Sequence, residues 1–389
     1  MSECGVKEFK LRELLKIYNG TKYDHLNKGD IPLYGSGGLM SHVNEALYSG
    51  EAILLPRKGT LSNIMYVNES FWTVDTMYYA VVNDKLADAF YLYSYLSQLD
   101  LSNLDSGSTL PSMTKSAYES IVVKLPDLKI QKAVATILFN IRKKLETNNK
   151  INQELEAMAK TLYDYWFVQF DFPDQNGNPY KSSGGKMVYH PELKREIPEG
   201  WGVAKVEDIA QTGSGGTPKS TNVSYYSNGE IPWINSGELE QTVITSTSNF
   251  ITEEGLNNSS AKLFPSGTIL VAMYGATAGK VSFLTFEAST NQAICAIMLT
   301  DIRMRYYLKN VIEDLYQYLV KLSTGSARDN LSQDMIKNIK VVIPSNDILD
   351  RFYDFSNNII KEITKKQQEN EQLTQLRDWL LPMLMNGQV

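Results

Sequence analysis

The fold is decided by LSNLDSGSTLPSMTKSAYESIVVKLP (101–126), because this stretch returns as LVKLSTGSARDNLSQDMIKNIKVVIP (319–344). The two segments align without a gap, and seven of their 26 positions are identical. Working outward, SGEAILLPRKGTLSNIMYVN (49–68) parallels SGTILVAMYGATAGKVSFLT (266–285), and GDIPLYGSG (29–37) parallels GEIPWINSG (229–237). The blocks keep the same order in both halves, so the chain is an internal duplication with a pseudo-two-fold repeat.

A long stretch with coiled-coil spacing follows the proline that ends each repeat, Pro126 or Pro344. Alternating steps of four and three residues trace a mostly apolar seam with a polar interruption in the middle of each stretch. Because both stretches share this pattern, we predict two long helices that pair as an antiparallel coiled coil. The alternative is an ordinary amphipathic helix packed on its own domain. The predicted seam and partner-contact residues are Ile130, Val134, Ile137, Ile141, Ile151, Leu155, Leu162, Phe352, Ile359, Leu373, Leu376 and Leu380.

The predicted fold class is α+β, with two similar globular α/β domains separated by the two paired helices. Short β-type runs between Gly and Asn turns predict the strands of each domain. A helix from Ile130 to Tyr165 would be about 54 Å long, which suits a spacer. The predicted boundaries are 1–126 for the first domain, 127–170 for the central helix, 171–200 for a turn-rich linker, 201–344 for the second domain and 345–389 for the last helix.

The composition indicates a folded protein of more than one domain. Of 389 residues, 43% are hydrophobic and 21% charged, which excludes the composition of a disordered chain. The net charge of −6 argues against a simple polycation that coats nucleic acid. Cys4 and Cys295 are the only cysteines, and the three histidines lie apart, so we expect a reducing cytosol, no disulfide framework and no zinc site. The sequence contains no run of 18 apolar residues, so we expect no membrane span.

Several short motifs suggest an enzyme but lack parts that the chemistry needs. GSGGTPKS (213–220) and GATAGK (275–280) resemble phosphate-binding loops, yet the first has Pro218 in place of a glycine and the second is one residue short. Asp174, Glu192 and Lys194 imitate the carboxylate-lysine set of magnesium-dependent nucleases. They lie in the turn-rich linker, where no strand pattern is visible. A self-sufficient nuclease and a protein-binding scaffold therefore stay open as alternatives.

Two diverged units held apart by paired helices would measure the distance between two sites on DNA. Because the units differ most in their loops, we predict a bipartite, asymmetric target. Arg and Lys can contact phosphate or guanine, and Asn and Gln can make bidentate bonds to adenine. The candidate DNA-binding residues are Arg57, Lys58, Thr60, Ser62 and Asn63 in the first unit and Tyr274, Thr277, Lys280, Asn291, Gln292, Arg328 and Asn330 in the second.

The repeated segments resemble those of the specificity subunit of type I DNA restriction-modification enzymes. IPEGW (197–201), GSGGTP (213–218) and GEIPWINSGEL (229–239) are similar to the opening of that family's target recognition domains, and STGSARDNLSQDMIKNIKVVIP (323–344) to their close. AKTLYDYWFVQFDFP (159–173) and LRDWLLPMLMNGQV (376–389) resemble the ends of its helices. The resemblance covers nearly the whole chain, although the first domain lacks the PxGW opening, so its N-terminal boundary is less well defined.

The resemblance implies a subunit with no catalysis of its own and no bound cofactor. It would bind double-stranded DNA and dock two methyltransferase subunits that carry S-adenosylmethionine. Restriction subunits that depend on ATP and Mg²⁺ would then join this complex. Tyr163, Trp166, Phe167 and Trp379 are candidates for partner contacts, or for packing between the helices. Residues 1–126 carry a net charge of −3 and residues 201–344 a net charge of −2. We therefore expect weak DNA binding by the chain alone, with partner subunits supplying much of the phosphate attraction.

Overall fold

Several β-type runs of the first half form strands that end at or directly before a Gly, Pro or Asn residue, among them Gly35, Pro56 and Asn83. The computed structural model describes residues 6–101, 111–275, 277–322 and 331–385, without the side chains of residues 318–322, 384 and 385. One compact unit comprises Met1–Glu146 and Gln372–Val389. The elements of this half are β1 Lys7–Lys10, α1 Leu11–Leu14, β2 Leu15–Asn19, β3 Lys28–Gly35, β4 Gly38–Val43, β5 Tyr48–Pro56, β6 Met65–Thr73, β7 Met77–Val82, α2 Ala89–Leu96, α3 Lys115–Ser120, β8 Val122–Leu125 and α4 Leu128–Tyr163.

The first unit is built on a six-stranded sheet with the order β2-β7-β5-β6-β3-β4. The central strand β5 is apolar from Ala52 to Pro56 and is buried along that run, because both faces of the sheet are covered. One face packs on α2, α3 and the first turns of α4, where Val134 and Leu138 join a core that also includes Leu381. The opposite core surrounds Phe71.

The second unit comprises Thr147–Glu371. Its sheets are five-stranded, β12-β20-β17-β18-β14, and four-stranded, β15-β13-β19-β16. A π-helical turn, Asp164–Val168, extends the end of α4. The elements that follow it are β9 Met187–His190, β10 Arg195–Pro198, β11 Gly202–Lys205, α5 Val206–Ile209, β12 Ala210–Ser214, β13 Ile231–Ile234, β14 Val243–Ile244, β15 Phe250–Ile251, α6 Glu253–Asn257, β16 Leu263–Phe264, β17 Ile269–Ala272, β18 Val281–Leu284, β19 Ala288–Thr290, β20 Ile294–Leu299, α7 Arg305–Leu322, α8 Gln333–Lys337, β21 Lys340–Ile343 and α9 Asn346–Met385.

The sequence repeat is also a repeat of strand pairing. In the first unit β3 runs parallel to β6 with Leu33 opposite Trp72. In the second unit β13 runs parallel to β19 with Trp233 opposite Ser289. Each unit also has an antiparallel two-stranded ribbon that joins an early strand to its last strand, β1 with β8 and β11 with β21. Two units with the same plan, each mixing helices and strands, confirm the predicted duplication and the predicted α+β class.

The two long helices pair antiparallel within the second unit. Near one end of the pairing, the side-chain amide of Asn148 donates to Oδ1 of Asn370 at 2.9 Å. Near the other end, the rings of Phe167 and Phe352 meet edge to face with centroids 4.8 Å apart. Residue numbers rise along one helix as they fall along the other, as predicted. The mid-helix polar residues therefore bond to each other across the pair.

The predicted seam has the wrong phase at alternate positions. Ile137 and Ile151 are 45% and 38% exposed, whereas the next residues along, Leu138 and Asn152, are 4% and 9% exposed. In α9, Leu376 is likewise exposed. From Val134 the buried positions run in steps of four then three, to Leu138 and Ile141, whereas the predicted seam runs from Val134 in steps of three then four. The shared positions Val134, Ile141, Phe352 and Ile359 are buried, and Ile130, Leu155, Leu162, Leu373 and Leu380 are half-buried.

The segment predicted as a linker contains a β-hairpin formed by β9 and β10. The side chain of Ile197, which belongs to this hairpin, is buried in the core of the second unit together with Phe170 and Trp201. Sequence reasoning missed the strands because Gly, Pro and Asn dominate the segment, while burial of a few apolar residues holds them in place. Across the described ranges, no helix is long and apolar enough to cross a membrane.

Candidate nucleic-acid interface

The first candidate surface is the loop that follows β5, residues 57–63. Backbone bonds hold its start in place: the amide of Arg57 donates to the Thr76 carbonyl at 2.9 Å, and the Met113 amide donates to the Arg57 carbonyl at 3.0 Å. Arg57, Lys58, Thr60 and Ser62 expose their side chains. A fixed backbone with exposed cations and hydroxyls can present donors to phosphates and base edges.

This loop is joined to the turn between β3 and β4. The side-chain amide of Asn63 donates to the Ser36 carbonyl at 2.8 Å. A Cβ atom on Gly59, whose φ is +89°, would lie 3.0 Å from the Ser36 hydroxyl oxygen. The loop and the turn therefore form one surface, and the amide nitrogen of Asn63 is used to hold it together.

Tyr34 anchors the strand that leads into this turn. Its hydroxyl donates to Oε1 of Glu69 at 2.9 Å. Burial, reinforced by this carboxylate, raises the pKa of Tyr34 to about 12. The phenol therefore stays protonated at neutral pH and remains a donor.

The second unit brings together the corresponding loop and turn. The Thr277 hydroxyl donates to the Ser236 carbonyl at 2.7 Å, and Thr277 is buried. Asn291 contacts the same turn, with its side-chain nitrogen 3.4 Å from Oδ1 of Asn235. Its own Oδ1 accepts from the amide of Ala293 at 3.1 Å. Thr277 and Asn291 thus hold the turn in place.

The repeat relates these two arrangements. Ser36 and Ser236 occupy the same position in the aligned blocks GDIPLYGSG and GEIPWINSG, and Thr60 aligns with Thr277. In each unit a side chain of the later loop donates to the carbonyl of this serine. The fold therefore builds the same loop-and-turn surface twice, with different residues exposed on it.

The glycine-rich segment 213–218 borders the second surface. A Cβ on Gly215 would lie 1.9 Å from the Thr290 carbonyl oxygen, so only glycine fits at this close approach. The next residues place Thr217 so that its hydroxyl donates to Oε1 of Gln292, whose side chain is exposed. The segment positions Gln292 and is no phosphate-binding loop in front of a helix.

The remaining candidates make no side-chain contact with the Ser236 turn that the structure describes. Tyr274 is 36% exposed beside the loop. Lys280 lines a cavity of about 910 Å³ together with Asn152 and Glu313, and its backbone amide donates to the Thr277 carbonyl at 2.9 Å. Arg328 and Asn330 lie outside the described residues. Sequence reasoning missed Ser36, Asn235 and Ser236, although the repeated GSG and NSG turns point to them, and it also missed Thr217 in the glycine-rich segment.

The residues of the nuclease alternative have structural contacts. Asp174 accepts from the backbone amides of Asn176 and Asn178 at 2.8 Å. Glu192 pairs with Lys340 at 3.0 Å, and this hydrogen-bonded pair lowers the pKa of Glu192. Where side chains are described, no group of three or more His, Cys, Asp or Glu could hold a metal ion. Nothing in these contacts favours a nuclease.

The aromatic candidates for partner contacts divide into two kinds. Tyr163, Trp166 and Phe167 are buried in the core of the second unit. Trp379 is 62% exposed, which leaves its indole available to a partner. The exposed residues Ile137, Ile151 and Leu376 are available in the same way.

Known proteins share this duplicated plan. A family profile described as type I restriction modification DNA specificity domain matches residues 3–157 and 198–375. The HindI specificity subunit of Haemophilus influenzae is 26% identical over 333 residues, 72% of each chain. The MjaIX specificity subunit of Methanocaldococcus jannaschii is 27% identical over 74% of this chain but only 65% of its own length. The crystal structure of a type I S subunit from M. genitalium has the same fold, with a TM-score of 0.64 at 14% identity, covering 99% of this chain and 97% of that one. The chain therefore belongs to the family of type I restriction-modification DNA specificity subunits, as its repeated segments imply.

Proposed function

We propose that this chain gives a type I restriction-modification complex its DNA sequence specificity, with each unit reading one half of a bipartite, asymmetric target. The observation that carries the proposal is the loop-and-turn surface found in both units, held by the carbonyls of Ser36 and Ser236. The shared frame would place both surfaces alike on DNA. The different exposed residues would read different bases.

Charge supports a reader that acts within a complex. The segments 1–126 and 201–344 have net charges of −3 and −2, so neither supplies a strong general attraction to phosphate. Arg57 and Lys58 offer only local contacts. We expect tight, sequence-specific binding at physiological salt once basic surfaces of partner subunits are added.

The partners in this proposal are two methyltransferase subunits that hold S-adenosylmethionine and methylate adenines. Restriction subunits that use ATP and Mg²⁺ would join this core, and the chain itself would have no catalytic activity. Exposed apolar side chains on the central helix support docking of a partner. Ile151, Met158 and Tyr165 are 38%, 53% and 38% exposed and recur every seven residues, which places them on one face.

The test is the methylome of the host, read by single-molecule sequencing with and without this chain. We expect a two-part methylated motif that disappears without the chain. Exchange of residues 201–344 for the matching segment of a relative should change only one half of the motif. A change in both halves, or no dependence on the chain, would contradict the proposal.

A second assay separates the proposal from the nuclease alternative. The purified wild-type chain and the purified Glu192→Ala variant are each incubated with duplex DNA and Mg²⁺. We expect no cleavage by either protein. If the wild-type chain cleaves DNA and Glu192→Ala abolishes the cleavage, the chain is a nuclease and the proposed function is wrong.

A further inference from the structure

Two neighbouring large apolar side chains are exposed on β4. Leu39 and Met40 are 56% and 52% exposed. They follow directly on the Ser36 turn, and β4 is the edge strand of the six-stranded sheet. Leaving two adjacent apolar side chains in water forgoes burial that would stabilise the fold.

The second half of the chain shows that the fold does not require this exposure. Leu239 aligns with Leu39 in the repeat, and only 1% of its surface is exposed. It packs in a core with Ile234 and Leu284. The cause is local: after Ser236 the chain forms a 3-10 turn, Ser236–Glu238, whereas after Ser36 it continues as an edge strand. Exposure of the apolar pair is thus specific to the first unit.

The apolar pair is continuous with the cationic loop of the same unit. The bond from Asn63 to the Ser36 carbonyl ties the loop that carries Arg57 and Lys58 to the turn that leads into Leu39. At the tip, Cβ atoms added to Gly37 or Gly38 would meet nothing within 4 Å, so the backbone is open to close approach. Cations beside an open, two-stranded tip complement a phosphate-lined groove, and a β-ribbon fits the major groove.

We propose that Leu39 and Met40 contact the C5-methyl group of a thymine in the major groove and thereby specify a thymine in the half-site read by the first unit. The proposal rests on the proposed function and names the base feature that this surface reads. Thymine is the base that presents an apolar group in the major groove, so it is the match for exposed aliphatic side chains. A protein partner covering the same pair is the competing occupant.

The experiment uses the assembled methyltransferase complex and duplexes that carry its methylated motif. Each thymine of the first half-site is replaced in turn by uracil, which lacks only the C5-methyl group. We expect one such replacement to weaken binding about fourfold, the factor for burying one methyl group. In the double variant Leu39→Ser, Met40→Ser, thymine and uracil duplexes should bind equally.

Val122→Ser is the matched control, because Val122 is 52% exposed in the same unit but lies on β8. It should keep the preference for thymine over uracil. A first half-site without thymine, a double variant that retains the wild-type preference, or loss of methyltransferase subunits from the purified double variant would each overturn the inference. The proposed function would still stand if the motif itself depended on the chain.

Discussion

Asn148 and Asn370 form a buried amide pair in the helix seam, and replacing one should cost more stability than replacing both. Asn148 is fully buried and Asn370 is 8% exposed. Asn148 donates to Asn370 at 2.9 Å and to Oε2 of Glu369 at 3.0 Å, while Asn370 donates to Asn149 at 2.8 Å. Asn148→Leu therefore leaves the buried Oδ1 of Asn370 without this donor.

The expected free energies follow from that geometry. A buried acceptor that loses its donor costs about 1–3 kcal/mol, so Asn148→Leu should be destabilised by that order. Asn370→Leu should cost less, because the side-chain amide of Asn148 keeps its bond to Glu369. In the double variant both polar groups are gone, two apolar side chains fill the seam, and Asn149 is exposed to water. We expect the double variant to recover most of the loss, with a coupling energy of about 1–3 kcal/mol. A continuous apolar seam should also fix the helix register less well.

The assay is urea unfolding of the full chain followed by tryptophan fluorescence. Replacing Trp72 and Trp379 by Phe in all variants leaves Trp166, Trp201 and Trp233, which lie in the same unit as the amide pair. The four proteins form a double-mutant cycle. If the change in unfolding free energy of the double variant equals the sum of the singles within about 0.5 kcal/mol, the pairing argument is wrong.

Three further predictions concern other parts of the chain. Gly215→Ala puts a Cβ 1.9 Å from the Thr290 carbonyl oxygen, so it should destabilise the second unit by about 1–3 kcal/mol in thermal unfolding, whereas Gly237→Ala, with open space around it, should not. Burial raises the pKa of Cys295 to about 12. In a Cys4→Ser background this thiol should therefore resist a disulfide reagent at pH 9 until urea unfolds the chain. Rapid reaction of the folded chain would contradict this prediction. Inserting one heptad into both long helices adds about 10.5 Å and should lengthen the methylated spacer by about three base pairs, and an unchanged spacer would count against the spacing role.

The plan of the fold could be predicted because duplication is visible without structural information. The gapless match of 101–126 to 319–344 predicts that equivalent strands pair, and Lys7 opposite Leu125 recurs as Gly202 opposite Ile343. The long helices were predictable for a similar reason, since an apolar seven-residue pattern sustained over about ten turns is typical of a long paired helix.

The phase of the helix seam was not predictable from either helix alone. The seven-residue pattern can have steps of four then three residues or of three then four. Both phases include Val134 and Ile141, and they differ by one residue at the position that lies between these two. Ile137 and Leu138 are both apolar, so hydrophobicity does not choose between the phases. Tertiary packing chooses, and it buries the polar Asn152 while leaving Ile151 exposed.

The sequence by itself determined the duplication, the two long helices and the family, because these depend on local pattern and on the likeness of one segment to another. Only the tertiary structure decided which loops meet and which side chains face outward. Leu39 and Leu239 are the same residue at the same place in the repeat, yet one is 56% exposed and the other 1%. The physical reason is that burial depends on what packs against a side chain, and the turns after Ser36 and Ser236 send the chain in different directions.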